Sequence, residues 1–191
     1  MKNSASNVLF AFLLGIALPV FAADYKIDTA GAHASINFKI PHLGYSFLIG
    51  RFDDFDGSFS YDSRNPDQSK IEVLINVNSI NSNHAERDKH LRAESLLSTD
   101  KFPEAKFIST RYESVDENSG KLFGDLTLRG VTKNIEISVT KIGEGKDPWG
   151  GYRAGFQGIA TLVLKDFGIP MDLGPASREV ELQLQVEGIK Q

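Results

Sequence analysis

Glu179-Val180-Glu181-Leu182-Gln183-Leu184-Gln185-Val186-Glu187 alternates without a break between apolar and polar side chains. Successive side chains of a β-strand point to opposite faces, so this segment is a strand with one dry side and one wet side. A single wet face marks an antiparallel sheet, because parallel strands in α/β folds are covered on both faces. The same reading extends outward along the chain. Ala34, Ile36, Phe38 and Ile40 oppose Ser35, Asn37 and Lys39. Ile71, Val73, Ile75 and Val77 oppose Lys70, Glu72, Asn76 and Asn78, with Leu74 out of step. Leu122, Gly124, Leu126 and Leu128 share a dry face, as do Ile135, Ile137 and Val139. Less regular strands are expected near 45–52, 56–62, 105–115 and 152–165. In the last of these the inward set is Tyr152, Ala154, Phe156, Gly158, Ala160, Leu162 and Leu164.

The links between these segments are hairpin-like: Asn65-Pro66-Asp67, Glu117-Asn118-Ser119-Gly120, Arg129-Gly130-Val131-Thr132-Lys133 and a longer loop over 143–151. Strands that are each dry on one side must share one interior, in a closed barrel or a two-sheet sandwich. Short successive links favour an all-β, eight-stranded antiparallel barrel. One insertion breaks the pattern. Asn83–Arg92 is expected to be helical, with Asn83 as cap, Glu86 completing a capping box and Asp88 paired with Arg92. A second short turn is expected over Ala93–Leu97.

With 191 residues the chain suits one domain plus a targeting segment. Twenty-one Lys and Arg against 25 Asp and Glu give a net charge of −4, which is not the basic footprint of a nucleic-acid binder. The chain has no Cys, which removes disulfides, thiolate nucleophiles and Cys-type zinc sites together. Residues 1–22 read as a secretory signal. Lys2 supplies the positive start, Val8–Leu18 is apolar but too short for a span of ~20 residues, and Pro19 precedes Val20-Phe21-Ala22 at a cleavage site. The expected mature domain is 23–191, exported from the cytoplasm, with no membrane span.

Catalytic motifs are missing. There is no Gly-x-Ser-x-Gly, no phosphate-binding Gly-rich loop and no forced pair of facing carboxylates. Asp53-Asp54-Phe55-Asp56-Gly57 lacks the spacing of a calcium loop and reads as a charged strand end with Phe55 facing inward. His84 and His90 are six apart on the helix and so point to different sides, unlike a paired zinc site. No catalytic residue, metal ligand or cofactor is assigned.

The dry interior remains. An eight-stranded barrel is just wide enough to be packed by its own side chains or to hold one elongated guest. Small inward residues such as Gly158 and Ala160 leave volume unless larger neighbours fill it, so a lined cavity and a filled core both stay open on pattern alone. A cavity with few polar groups favours a lipid-like guest. The candidate lining is Ile36, Phe38 and Ile40 from one strand, Phe59 and Ile75, Phe107 and Leu126, Phe156 and Ala160, and Leu184, with Leu91 and Phe167 added from outside the strands. His42 follows a dry-faced strand and is placed at the cavity mouth.

Six markers then stand in order: His42-Leu43-Gly44-Tyr45-Ser46, Asp53–Gly57, Asn83–Arg92, Gly124–Lys133, Asp147-Pro148-Trp149-Gly150-Gly151 and Lys165-Asp166-Phe167-Gly168. With them the chain resembles the YceI family of secreted bacterial proteins over nearly its whole mature length. The resemblance implies a lipocalin-like barrel that binds a polyisoprenoid chain in its bore, in the periplasm of a Gram-negative bacterium. It also implies links to isoprenoid quinones or their precursors, and no catalytic residues. An enzyme acting on a lipid head group and a ligand-free structural or stress-response protein are the alternatives. A contact between two copies could form at the 143–151 loop and the barrel rim.

Overall fold

A computed structural model describes residues 22–191. The strands are β1 (Ala23–Ile27), β2 (Ser35–His42), β3 (Ser46–Phe52), β4 (Phe55–Tyr61), β5 (Lys70–Asn76), β6 (Ile80–Asn81), β7 (Glu104–Ser114), β8 (Ser119–Leu128), β9 (Val131–Lys146), β10 (Tyr152–Val163) and β11 (Glu179–Lys190). One helix, α1 (Ala85–Arg92), precedes β7. All pairings are antiparallel, and the ring β1-β4-β5-β7-β8-β9-β10-β11 closes on itself through β1 and β11. The expected closed eight-stranded antiparallel barrel is therefore the fold.

Three of the eight staves are made in two pieces. β11 pairs with β2 through Glu181–Gln185 and with β1 through Gly188–Lys190, so β1 and β2 are successive halves of one stave. β3 continues into β4 past residues 53–54, and β5 continues into β6 past 77–79. β7 to β11 are long and unbroken. The β8–β9 turn shows the local chemistry: Arg129 and Gly130 both adopt positive φ, 50° and 74°, the two-residue conformation that matches the twist of a hairpin.

α1 lies where β6 is too short to continue the wall. Its cap differs from expectation. Asn83 sits at φ 60°, outside the helix, and His84 is the capping residue, its Nδ1 accepting from the Arg87 amide at 3.2 Å. Asp88 is buried rather than paired on the surface, and accepts from the Ser82 amide and hydroxyl. Arg129 then ties this end together, donating to the carbonyls of Leu96 (2.8 Å), Glu94 (3.0 Å) and Gly168 (2.5 Å).

Candidate functional site: an apolar bore with one polar end

The buried core divides in two. One cluster is built on Tyr25, Ile27, Ile36, Phe59, Tyr61, Val73 and Ile75, the other on Phe38, Phe107, Leu122, Leu126, Ile137, Ala160 and Phe167. Between them runs a void of about 150 Å³ for a sphere the size of a water molecule. Its walls are almost wholly apolar, and every stave contributes: Ile27 and Ile36, Phe55 and Phe59, Ile71 and Val73, Phe107, Leu122 and Leu126, Ile137 and Val139, Phe156 and Gly158, Leu182 and Leu184. A dry space of that size and lining excludes water and takes apolar guests, since nothing in it repays the hydrogen bonds water would lose.

The two ends are unlike. At the α1 end the interior is occupied by the second core cluster. Phe167, 2% exposed, sits on a single helical turn after β10 and packs with Phe38, Ile80 and Val180, while Leu91 and Leu97 close in from the α1 segment. At the other end the inward positions turn polar. Along β9 the inward series Ile135, Ile137, Val139 ends in Lys141. Along β5 the series Ile75, Val73, Ile71 ends in Ser69, and β4 ends in Tyr61. Lys141 reaches over Tyr61, its ammonium 5.3 Å from the ring centre. β9 and β4 stand on opposite sides of the ring, so this contact crosses the bore. Glu144 meets the same ammonium at 3.1 Å. Burial would lower the pKa of Lys141, but Glu144 and the Tyr61 hydroxyl together hold it above its ordinary value. Burial pushes the Tyr25 and Tyr112 phenols up. Below this roof lies an aromatic cluster: Tyr61 and Phe59 meet Phe156 edge-on at 5.0 and 5.6 Å, and Tyr25 stacks on Phe59 at 4.8 Å.

Seven of the thirteen candidate residues line the void: Ile36, Phe59, Ile75, Phe107, Leu126, Phe156 and Leu184. Six do not. Phe38, Ile40, Ala160 and Phe167 belong to the packed second cluster, and Leu91 packs against it from α1. His42, the last residue of β2 and paired with Ser46, is exposed at the end of the barrel away from the polar roof, which corrects its placement at a cavity mouth. For the strand residues Phe38, Ile40 and Ala160 the reason is the same. Alternation fixes which face a side chain takes but not its height along the barrel, and the packed end uses the same residue types as the bore. Ala160 is 4% exposed and packs in the second cluster, beside a polar groove that opens where β9 and β10 part beyond Ser138 and Ile159.

A second polar cluster was not foreseen. Arg153 Nη1 stands 2.6 Å from both Asp28 and Glu187, and its Nε is 3.0 Å from Asp147. His33 Nδ1 and the Gly31 amide complete the shell of Asp28 at 2.8 Å each. The hydrogen bonds from His33, then Arg153, then Gly31 lower the Asp28 carboxyl to about 2 against its burial. Asp28, His33 and Glu187 have the proximity of a metal site, but the Arg153 guanidinium already fills it as the cation. The cluster braces the break between β1 and β2 against β10 and β11.

These residues build a closed antiparallel barrel around an apolar bore with one polar end. The YceI-like domain family matches residues 25–188, and the chain belongs to that family. A UPF0312 protein of Shewanella denitrificans is 59% identical over 189 residues, covering 96% of this chain and 98% of the relative. The crystal structure of the Campylobacter jejuni YceI protein superposes with a TM-score of 0.72 at 28% identity, over 80% of this chain and 90% of that one. A polyisoprenoid-binding domain from Saccharophagus degradans has the same fold, with a TM-score of 0.61 at 16% identity, over 90% of this chain and all of that domain.

Proposed function

We propose that this protein binds a long-chain isoprenoid lipid, such as a prenylated quinone or its precursor, and carries or stores it in the periplasm without acting on it chemically. The observation that carries the reading is the apolar void between the two core clusters. Each CH₂ moved from water into such a lining gains roughly 0.8 kcal/mol, so affinity grows with the length threaded. Selectivity then comes from the width and length of the bore. At about 150 Å³ the void as it stands accepts only part of a prenyl chain, so a full guest enters by displacing lining side chains. The naming of the Saccharophagus degradans domain as polyisoprenoid-binding agrees with this use of the shared fold. Family membership and an almost wholly apolar lining favour binding over catalysis. Residues 1–22, which apart from Ala22 lie outside the described residues, supply the export signal. Among the described residues no helix is long and apolar enough to cross a membrane.

The test is organic extraction and mass spectrometry of protein isolated from its native periplasm. An isoprenoid in near-stoichiometric amount is expected. Protein that carries no lipid, or only fatty acyl chains, ends the proposal. Mass spectrometry of the same preparation also reads the amino terminus, expected at Ala23.

A further inference from the structure

The roof of the bore contains a polar atom with nothing to bind. Ser69 lines the void, and its buried Oγ has no hydrogen-bond partner among the described residues. Leaving a buried hydroxyl unmatched costs stability, and such groups are uncommon in folded proteins. Lys141 adds a second anomaly. A lysine on the inward face of a barrel stave, with its side chain only 18% exposed, is costly unless something uses it. It stretches across the bore to Tyr61, on the opposite stave. Three donors therefore converge on the end of an otherwise apolar tunnel: a hydroxyl, a phenol and an ammonium. The charge of that ammonium is already met by Glu144 at 3.1 Å, so the place suits an acceptor oxygen rather than an anion.

We propose that Lys141, Tyr61 and Ser69 form the head-group site of the bore, and that they hold an uncharged, oxygen-bearing head, a carbonyl or a hydroxyl, while the prenyl tail runs toward Phe167. This rests on the reading that the bore takes a prenyl chain. It assigns the guest a direction: the head lies at the Lys141 end and not at the His42 turn. The aromatic edges of Phe59, Tyr61 and Phe156 stand directly below the donors and offer a face to a flat ring.

The experiment compares three guests of equal chain length on the whole mature protein: geranylgeraniol, the hydrocarbon of the same skeleton without its hydroxyl, and geranylgeranyl diphosphate. Calorimetric titration is run on wild type, Ser69→Ala, Tyr61→Phe and Lys141→Met. The alcohol should bind wild type more tightly than either other guest. Ser69→Ala and Tyr61→Phe should each weaken the alcohol about fivefold, and Lys141→Met about tenfold or more, with the hydrocarbon unchanged within about twofold. Ser69→Ala should also melt at the same temperature as wild type or higher, because the hydroxyl it removes is unpartnered. Equal losses for alcohol and hydrocarbon, no loss for either, a marked drop in the Ser69→Ala melting temperature, or a preference for the diphosphate would each overturn the assignment. Wild type that binds neither alcohol nor hydrocarbon would instead overturn the lipid-binding reading beneath it.

Discussion

Filling the bore without disturbing its walls separates the void from the core around it, and Gly158 is the position for it. Gly158 lies on the inward face of β10 and lines the void. A Cβ placed there would stand 3.0 Å from Ile137 Cγ2, 3.3 Å from Leu184 Cδ1 and 3.4 Å from Leu184 Cβ, so Ile137 must give by a few tenths of an ångström. Both neighbours are aliphatic side chains that themselves line the void. Gly158→Leu adds four carbons to a dry space, worth about 3 kcal/mol of burial at roughly 0.8 kcal/mol each. Crowding of a packed interior costs about 1–3 kcal/mol, and replacing glycine in a strand returns about 0.5–1 kcal/mol. The balance lies between about 0.5 and about 3 kcal/mol stabilising, so stability at least equal to wild type is expected. The void of about 150 Å³ would be filled, and the guest excluded. Urea denaturation followed by circular dichroism reads the stability, and extraction of the purified variant reads the lipid. The expected pair of results is at least wild-type stability with no bound isoprenoid. A folded Gly158→Leu protein that retains its full lipid complement would refute the placement of the guest. A loss of several kcal/mol would show that the space is not free.

Three further outcomes follow from the same geometry. Phe167→Ala should cost about 3–5 kcal/mol in urea denaturation, because a fully buried ring leaves a cavity at the packed end, while lipid content per folded molecule stays unchanged; lipid loss with stability intact would put Phe167 in the bore. Ala160→Trp should fail to fold under the conditions that fold Gly158→Leu, since its site is packed, and soluble Ala160→Trp with wild-type melting would contradict the division of the core. Asp28 binds its proton at about 2 in the folded chain against an ordinary value of 3.8, so its contribution is complete above that ordinary value and is lost as pH falls through about 2. Stability measured between pH 5 and pH 2 should therefore fall less steeply in Asp28→Asn than in wild type, and identical slopes would mean that the Arg153 cluster does not govern acid unfolding.

Much of this was legible in the chain. The alternation in β11 and β9 fixed antiparallel strands with one dry face, and the turn residues around Arg129-Gly130 fixed a hairpin. The bore itself could be anticipated as an apolar interior but not located, because Phe38 and Phe59 carry the same signal and only three-dimensional height tells them apart. The polar roof was present in the sequence too, as Lys141 following Ile135, Ile137 and Val139 in step. A bulge between Gly155 and Phe156, across from Lys141, blurred that phase. The Arg153 cluster was out of reach, since Arg153 and Asp28 are 125 residues apart and nothing local pairs them.

The interruptions at 28–34, 53–54 and 77–79 lie in three adjacent staves, whereas the other five are continuous. The Arg153 cluster pins the first of these breaks, so local opening should concentrate at 53–54 and 77–79, where native-state amide hydrogen exchange is expected to run faster than along β7 and β8.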